Sequence, residues 1–326
     1  MLTKRQNLLE TIRGGKPDRF VNQWEAFGGV MGDPCKLRTR AERGGPDAVD
    51  SWGVTTTWPA NVPGPFPVHD YEHKVVKDIT RWKEVVHAPS LDVPDSAWDD
   101  VKAQASQIDR NEQFLTFFIA PGIFEQAHYL MGIDTTLLNF YEEPEAMHEL
   151  IDYITDWKIK YAELVCKHLK PEAILHHDDW GSQINSFMSP EMFEEFIVPA
   201  FKRLYGYYKS HGVELIVHHS DSYAANLVPY MIEMGIDIWQ GGLKSNNLPE
   251  LVKKYGGQIS FMGGINNGIV DVLDWTNELV AREVEEMCTS CGKLYYIPSM
   301  CGGGPGATDV YKAVSKEIDR MSSVMF

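Results

Sequence analysis

From Phe114 onward, short and nearly unbroken apolar runs alternate with amphipathic helical stretches, and that repeat leaves few folds open. The runs are Phe114–Ala120 (FLTFFIA), Ala173–His177 (AILHH), Glu214–His218 (ELIVH), Ile236–Gln240 (IDIWQ), Ile259–Met262 (ISFM) and Leu294–Pro298 (LYYIP). Helical patterns follow them over Gly122–Met131, Pro144–Leu169, Pro190–Ser210, Tyr223–Met234, Leu248–Tyr255, Trp275–Met287 and Thr308–Met321. A strand that is apolar on both faces has to be covered on both faces, and helices lying between such strands cover a parallel sheet. With Phe20–Trp24 as a first strand and one more near Lys74–Asp78, the total reaches that of a (β/α)8 TIM barrel. An open doubly wound sheet is the alternative. It usually carries a glycine fingerprint in its first βα turn, and the turn here is Trp24-Glu25-Ala26-Phe27-Gly28-Gly29, not G-x-G-x-x-G.

The 326 residues suffice for one barrel domain spanning 1–326. The opening helix, Lys4–Arg13, has Thr3 as N-cap and is stopped by Gly14-Gly15 and Pro17. Residues 26–113, which include the proline- and tryptophan-rich stretch Trp52–Asp70, read as a long insert or loop region between early strands. The fold expected is therefore an α/β TIM barrel with an extended N-terminal region. Lys and Arg number 30 against 46 Asp and Glu, a net charge of −16, which argues against nucleic acid or an anionic membrane as partner. No run approaches the ~20 apolar residues that span a bilayer. The first residues lack the apolar core of a signal peptide, and five cysteines make no disulfide framework, so a cytoplasmic protein is expected.

In a barrel, catalytic groups lie where strands end and loops begin. Those positions hold Trp24-Glu25, Ala120-Pro121-Gly122, His177-Asp178-Asp179-Trp180, His218-His219-Ser220-Asp221, Gln240-Gly241-Gly242, Gly263-Gly264-Ile265-Asn266 and Ser299-Met300-Cys301. Imidazoles, carboxylates and a thiol thus collect at one rim. His219 and Asp221, one residue apart, and the distant Cys301 are acceptable zinc ligands, and three protein ligands with an open position is the catalytic pattern. The alternative is that His219 and Asp221 cap a helix and Cys301 fills core. Asp178 and Asp179 suit a general acid, a substrate anchor or a partner to a metal ligand, with Asp178 pointing inward. Of His176 and His177, one belongs to the core. Glu125, near a helix start, either faces the mouth or favours the helix dipole. Trp24, Phe27, Trp58, Phe66 and Trp180 are candidates for an aromatic pocket. Cys288-Thr-Ser-Cys291 lies toward the opposite face and reads as structural or incidental. The glycines of GGIN (263–266) and CGGGPG (301–306) suit close approach of a bulky ligand better than phosphate, since neither loop brings a Lys or Arg to the strand end.

The segments LTKRQNLLETIRGGKPDRF, GIFEQAHYLMG, HHDDWGSQ, SPEMFEEFIVPAFKRLYGYYKSHG, VHHSD, MGIDIWQ, FMGGINN and PSMCGGGPG together resemble the uroporphyrinogen decarboxylase superfamily over essentially the whole chain. The resemblance implies a (β/α)8 barrel. True decarboxylases of that family bind a tetrapyrrole through an arginine-rich segment after the first strand. Trp24-Glu25-Ala26-Phe27-Gly28 stands there instead, with no arginine from it to Arg38. The other branch holds zinc-dependent methyltransferases that work with corrinoid proteins. Its coenzyme M enzymes use a His-x-Cys pair and a distant Cys, and here His219-Ser220-Asp221 and Cys301 take those places, with 79 residues between Asp221 and Cys301. Aspartate for cysteine makes the site harder and better suited to an oxygen ligand, which is similar to the aryl methyl ether O-demethylases of that branch. The resemblance thus implies zinc on His219, Asp221 and Cys301, and a small-molecule methyl donor held by Trp24, Glu25, Phe27 and Trp180. Asp178 or Asp179 then donates a proton or orients a ligand, and the acceptor is the corrinoid, a cobalamin, of a separate corrinoid protein. It leaves open a fourth ligand from Glu25 or Glu125 and a homo-oligomer. A uroporphyrinogen-type decarboxylase and a non-catalytic corrinoid- or tetrapyrrole-binding protein are the alternatives.

Overall fold

The computed structural model describes residues 1–37, 41–62, 64–302 and 308–326. Arg38 and the glycine-rich stretch 303–306 lie outside the described residues. The molecule is built on a curled sheet of seven parallel strands flanked by helices. Its strands are β1 (Phe27–Val30) and, beyond a small cap sheet, β5 (Phe114–Ile119), β6 (Ala173–His177), β7 (Leu215–His219), β8 (Ile238–Gly242), β9 (Ser260–Ile265) and β10 (Tyr296–Met300). The cap sheet comprises β2 (Ala48–Val49), β3 (Thr55–Thr57) and β4 (Phe66–Pro67), paired antiparallel. The seven long strands pair in chain order, β1-β5-β6-β7-β8-β9-β10, the succession of a TIM-like barrel.

Three expectations need correction. The first strand is Phe27–Val30 and not Phe20–Trp24. The earlier segment reaches β10 through Gln23 N–H donating to Pro298 O at 3.2 Å and Met300 N–H donating to Gln23 Oε1 at 3.4 Å. A left-handed residue, Gln23 at φ 52°, then turns the chain through Trp24 into β1. Lys74–Asp78 is not a strand. Val76 is buried and donates its N–H to Leu130 O, so this stretch is docked on the end of the helix Ile123–Met131. Seven paired strands, not eight, therefore form the sheet among the described residues. The last strand begins two residues later than expected, which carries Ser299 and Met300 into the sheet and leaves Cys301 at its end.

The interior of the curled sheet is filled at one end by Phe27, Phe114, Ala173, Leu215, Val217, Ile238, Met262 and Ile297, with Leu8 from the helix Lys4–Ile12 packed among them. That helix starts at a capping box of Thr3 and Gln6. Arg5 ties it to the barrel end through Glu172 at 2.6 Å and Glu214 at 2.9 Å, with its guanidinium over the Phe114 ring. The long stretch between β1 and β5 holds the cap sheet and the helix Asp99–Ser106.

Leu8 is fully buried in this plug. Truncation leaves a hole that neighbouring strands cannot close, so Leu8→Ala is expected to lower the free energy of unfolding by about 2–5 kcal/mol, read from urea-unfolding curves. A loss below about 1 kcal/mol would mean that the helix does not plug the barrel.

Candidate active site

Side chains alternate across a strand, and on β6 and β7 that alternation divides two histidine doublets. Leu175 and His177 face the cavity above the apolar plug, and so does His219, whereas His176 and His218 turn toward the helices and are fully buried. The outward pair shares Tyr205. Its hydroxyl lies 2.7 Å from His218 Nδ1 and 3.1 Å from His176 Nδ1, and His218 Nε2 meets Asp178 O at 3.1 Å. The carbonyl can only accept, so His218 donates from Nε2 and Tyr205 donates to its Nδ1. Burial holds both imidazoles well below the ordinary histidine range, so both are neutral.

Register then assembles the inward row. His177 pairs in position with His219, and His219 with Gln240 on β8. The His177 and His219 rings stack with centroids 4.7 Å apart. His219 Nδ1 meets Gln240 Oε1, while Gln240 Nε2 donates to Cys301 O at 3.1 Å. That second bond fixes the amide orientation. Oε1 must face His219, Nδ1 must carry the proton, and the Nε2 lone pair is left for the cavity. Burial, then the charge of His177, pushes His219 down to about 4 against the Gln240 bond, so it is neutral at pH 7. Gly241, at φ +97°, makes the bulge after Gln240; a Cβ there would come within 3.0 Å of Ser220 and Asp221 backbone.

His177 is in the opposite state. Its Nδ1 lies 2.9 Å from Glu125 Oε2 and its Nε2 3.9 Å from Asp179 Oδ2. Burial alone would lower its pKa, but the charge and hydrogen bond of Glu125, helped by Asp179 and Asp178, raise it to about 10. Glu125 is held below the usual carboxylate range: burial raises it, and the His177 partnership outweighs that. Glu125 also accepts from Gly122 N–H at 3.3 Å. The helix start and the site thus share one carboxylate.

Asp178 and Asp179 divide their work. Asp178 is fully buried and accepts from Phe124 N–H (3.0 Å), Glu125 N–H (2.7 Å) and the Trp180 indole (3.1 Å). It points toward the helix start, where a Cβ on Gly122 would lie 2.2 Å from it, and is absent from the cavity lining. Asp179 is partly exposed and accepts from Asp221 N–H at 3.1 Å. Burial first, then neighbouring carboxylates, pushes both up to about 7, with His177 opposing at Asp179. Asp221 stands exposed at the rim and lines the cavity. Cys301 is buried, its Sγ donating to Gly242 O at 3.2 Å, and burial pushes the thiol up to about 12.

The cavity has a volume of about 670 Å³ and is walled by Trp24, Phe27, Phe118, Tyr129 and, from the cap sheet, Phe66. Trp24 and Phe27 meet edge to face at 5.7 Å. Trp180 is not in this wall: it is fully buried and stacks on His218 at 3.9 Å. Glu25 is turned away as well, accepting from Asn22 N–H and lying 3.9 Å from Arg19. Trp58 donates to Val62 O. Among the described residues, the donor atoms that come within 4.8 Å of one another are those of His177, Asp179 and His219, and Asp221 and Cys301 stand outside that group. Cys288 and Cys291 are buried with thiols pushed up to about 12.

A row of imidazoles and carboxylates at the strand ends of a TIM-like sheet, under aromatic walls, is the layout of a barrel enzyme. The family model described as uroporphyrinogen decarboxylase (URO-D) matches residues 67–313, and the chain belongs to that family. A methylated-thiol–coenzyme M methyltransferase of Methanosarcina mazei is 26% identical over 184 residues, which cover 54% of this chain and 47% of that protein. The chain therefore matches about half the length of this curated relative. A solved methyltransferase from Methanosarcina mazei superposes with a TM-score of 0.66 at 14% identity, covering 98% of this chain and 99% of that one, a likeness of fold.

The His177 charge is open to a pH test on metal-free protein. A histidine raised from 6.5 to about 10 gives stability that is full below pH 6.5 and lost as pH rises through about 10. Asp178 and Asp179, raised from 3.8 to about 7, favour the folded state at low pH and lose that contribution as pH rises to about 7. Above about pH 7.5 the histidine limb is left, joined above about pH 9 by the buried thiols, which are common to both proteins and cancel in the comparison. The urea midpoint is expected to fall between about pH 7.5 and 10 by more in wild type than in Glu125→Gln. Parallel curves for the two proteins would exclude the ion pair.

Proposed function

We propose that this protein is a methyltransferase that moves a methyl group from a methoxylated compound, an aryl methyl ether, to the corrinoid of a partner protein, with a zinc ion as Lewis acid. The observation that carries the reading is the joining of an aromatic-walled cavity to a floor where neutral His219 presents a free ring nitrogen beside carboxylates. Kinship with the uroporphyrinogen decarboxylase family, and similarity to a protein named as a methyl transferase acting on methylated thiols, support it. Among the described lining residues there is no Lys or Arg, which is a poor setting for a substrate bearing many carboxylates.

The donor chemistry fits zinc: an oriented neutral imidazole, hard carboxylate oxygens and a thiol within one rim. We place zinc on His219, Asp221 and Cys301. His177 and Asp179 also stand close to His219, but an imidazolium held by Glu125 has no lone pair at Nε2 to give. Bound there, zinc supplies Lewis-acid polarisation of the ether oxygen as the methyl group departs. The chain's own residues do the rest. Trp24 and Phe27 hold the ring. Glu125 fixes His177 through Nδ1, so that Nε2–H is a donor to the oxygen that keeps the ring. Asp179 steadies the Asp221 backbone, and Gln240 keeps His219 in its metal-binding tautomer. Asp178 acts indirectly, by anchoring the helix that carries Glu125.

Elemental analysis of protein purified without chelators, with methyl transfer from methoxyaromatics to a corrinoid protein, tests this. About one zinc per chain is expected, lost with activity in His219→Ala and in Cys301→Ser. Loss of zinc in Asp179→Asn with Cys301→Ser unaffected would move the metal to the His177 side. Zinc-free wild type after zinc supply would remove the Lewis-acid route. Tight corrinoid binding without methyl transfer would leave a binding protein.

A further inference from the structure

The cavity takes its floor and its rim from separate parts of the chain. Barrel strand ends supply the imidazoles, while Thr56 on β3 and Phe66 and Pro67 on β4 come from the cap sheet. Phe66 is an unusual member of the wall. It lines the cavity and is yet 45% exposed, so a large aromatic face is left in water at the mouth. Covering such a face is favourable, and a ring laid against it gains beyond the area buried. Its backbone is stiff, because Pro65 and Pro67 flank it and Phe66 pairs with Thr57 across the cap. The ring is therefore presented and not merely tolerated. Trp24 and Phe27, fixed edge to face, line the same cavity from the barrel side.

We propose that Phe66 is the specificity-determining residue of this site: the cap selects flat aromatic methyl donors over saturated ones of equal size, while the barrel performs the transfer. The inference rests on the methyltransferase reading for the word donor, but the selection itself is a matter of binding. Ring against ring is what Phe66 adds over an aliphatic residue, and a leucine keeps the apolar bulk without the flat face.

The test compares methoxybenzene with methoxycyclohexane by calorimetry on the purified full chain. Wild type is expected to bind methoxybenzene more tightly by roughly three- to tenfold. Phe66→Leu should narrow that difference by about two- to threefold, Trp24 and Phe27 keeping the remainder, and Phe66→Tyr should restore it. Equal preference in wild type and Phe66→Leu overturns the proposal, and so does failure of wild type to bind either compound. Methyl transfer to a corrinoid protein is scored separately. A preference that depends on Phe66 without any transfer would overturn the methyltransferase reading and leave the cap's role standing. Transfer with an unaltered preference in Phe66→Leu would do the reverse.

Discussion

Everything at this site hangs on the two-residue period of a strand in a curled sheet. One face of each strand is interior, and the interior changes character along its length. Ala173, Leu215 and Ile238 sit in the apolar plug, and two or four residues later the same faces present His177, His219 and Gln240. The plug closes the sheet to water from below, so a polar row can be held above it only if its members satisfy one another. They do so laterally: Glu125 with His177, Gln240 with His219, and the Cys301 carbonyl with Gln240. A shift of one residue in β6 or β7 would exchange His177 for His176 or His219 for His218, and would set an imidazole built for the Tyr205 network into the cavity.

Much of this frame was legible, because parallel strands buried on both faces write continuous apolar runs. The six runs from Phe114 onward fall on the six strands β5–β10 with small shifts of boundary. The first strand was not legible. Phe20 and Val21 are as buried as any strand residue, but they pack beside β10 without regular pairing, and Gly28-Gly29 in the true β1 reads as turn. The cap sheet was hidden for another reason: its strands have two or three residues, too short to show a period among prolines.

The site residues follow the same logic. Trp24 and Phe27 were readable as aromatic wall, and His219 and Asp221 as rim residues, from position alone. Asp178 is expected to point inward, and its carboxylate instead turns to the helix start, a difference from Asp179 that residue type does not show. The difference is that the backbone N–H groups of Phe124 and Glu125 reach Asp178, a fact of helix placement and not of local sequence. Trp180 fills core behind His218 for the same reason. His177 was half-visible as one member of a doublet, and counting in twos from Ala173 and Leu175 selects it. Gln240 carries no motif, although its place two residues after the interior Ile238 was a signal that could have found it.

Charge gives the row its bias. Glu125, Asp178, Asp179 and Asp221 crowd a small volume, and Asp178 and Asp179 are pushed up to about 7 by burial and by the charge of Glu125. Among the described residues, the cation paired with them is the imidazolium of His177, and it stacks against an imidazole that is kept neutral. Such a surplus of carboxylate favours a positive charge brought in from outside, and the free nitrogen of His219 marks where it would be received. The direction of that nitrogen is set by residue 301: its carbonyl orients Gln240, which orients His219. If the Cys301 thiol is a ligand, as proposed, one residue supplies both a ligand and, through its backbone, the tautomer of another. Movement of the chain end of β10 would then loosen two metal bonds together, so metal retention would depend on how firmly Cys301 is held against Gly242.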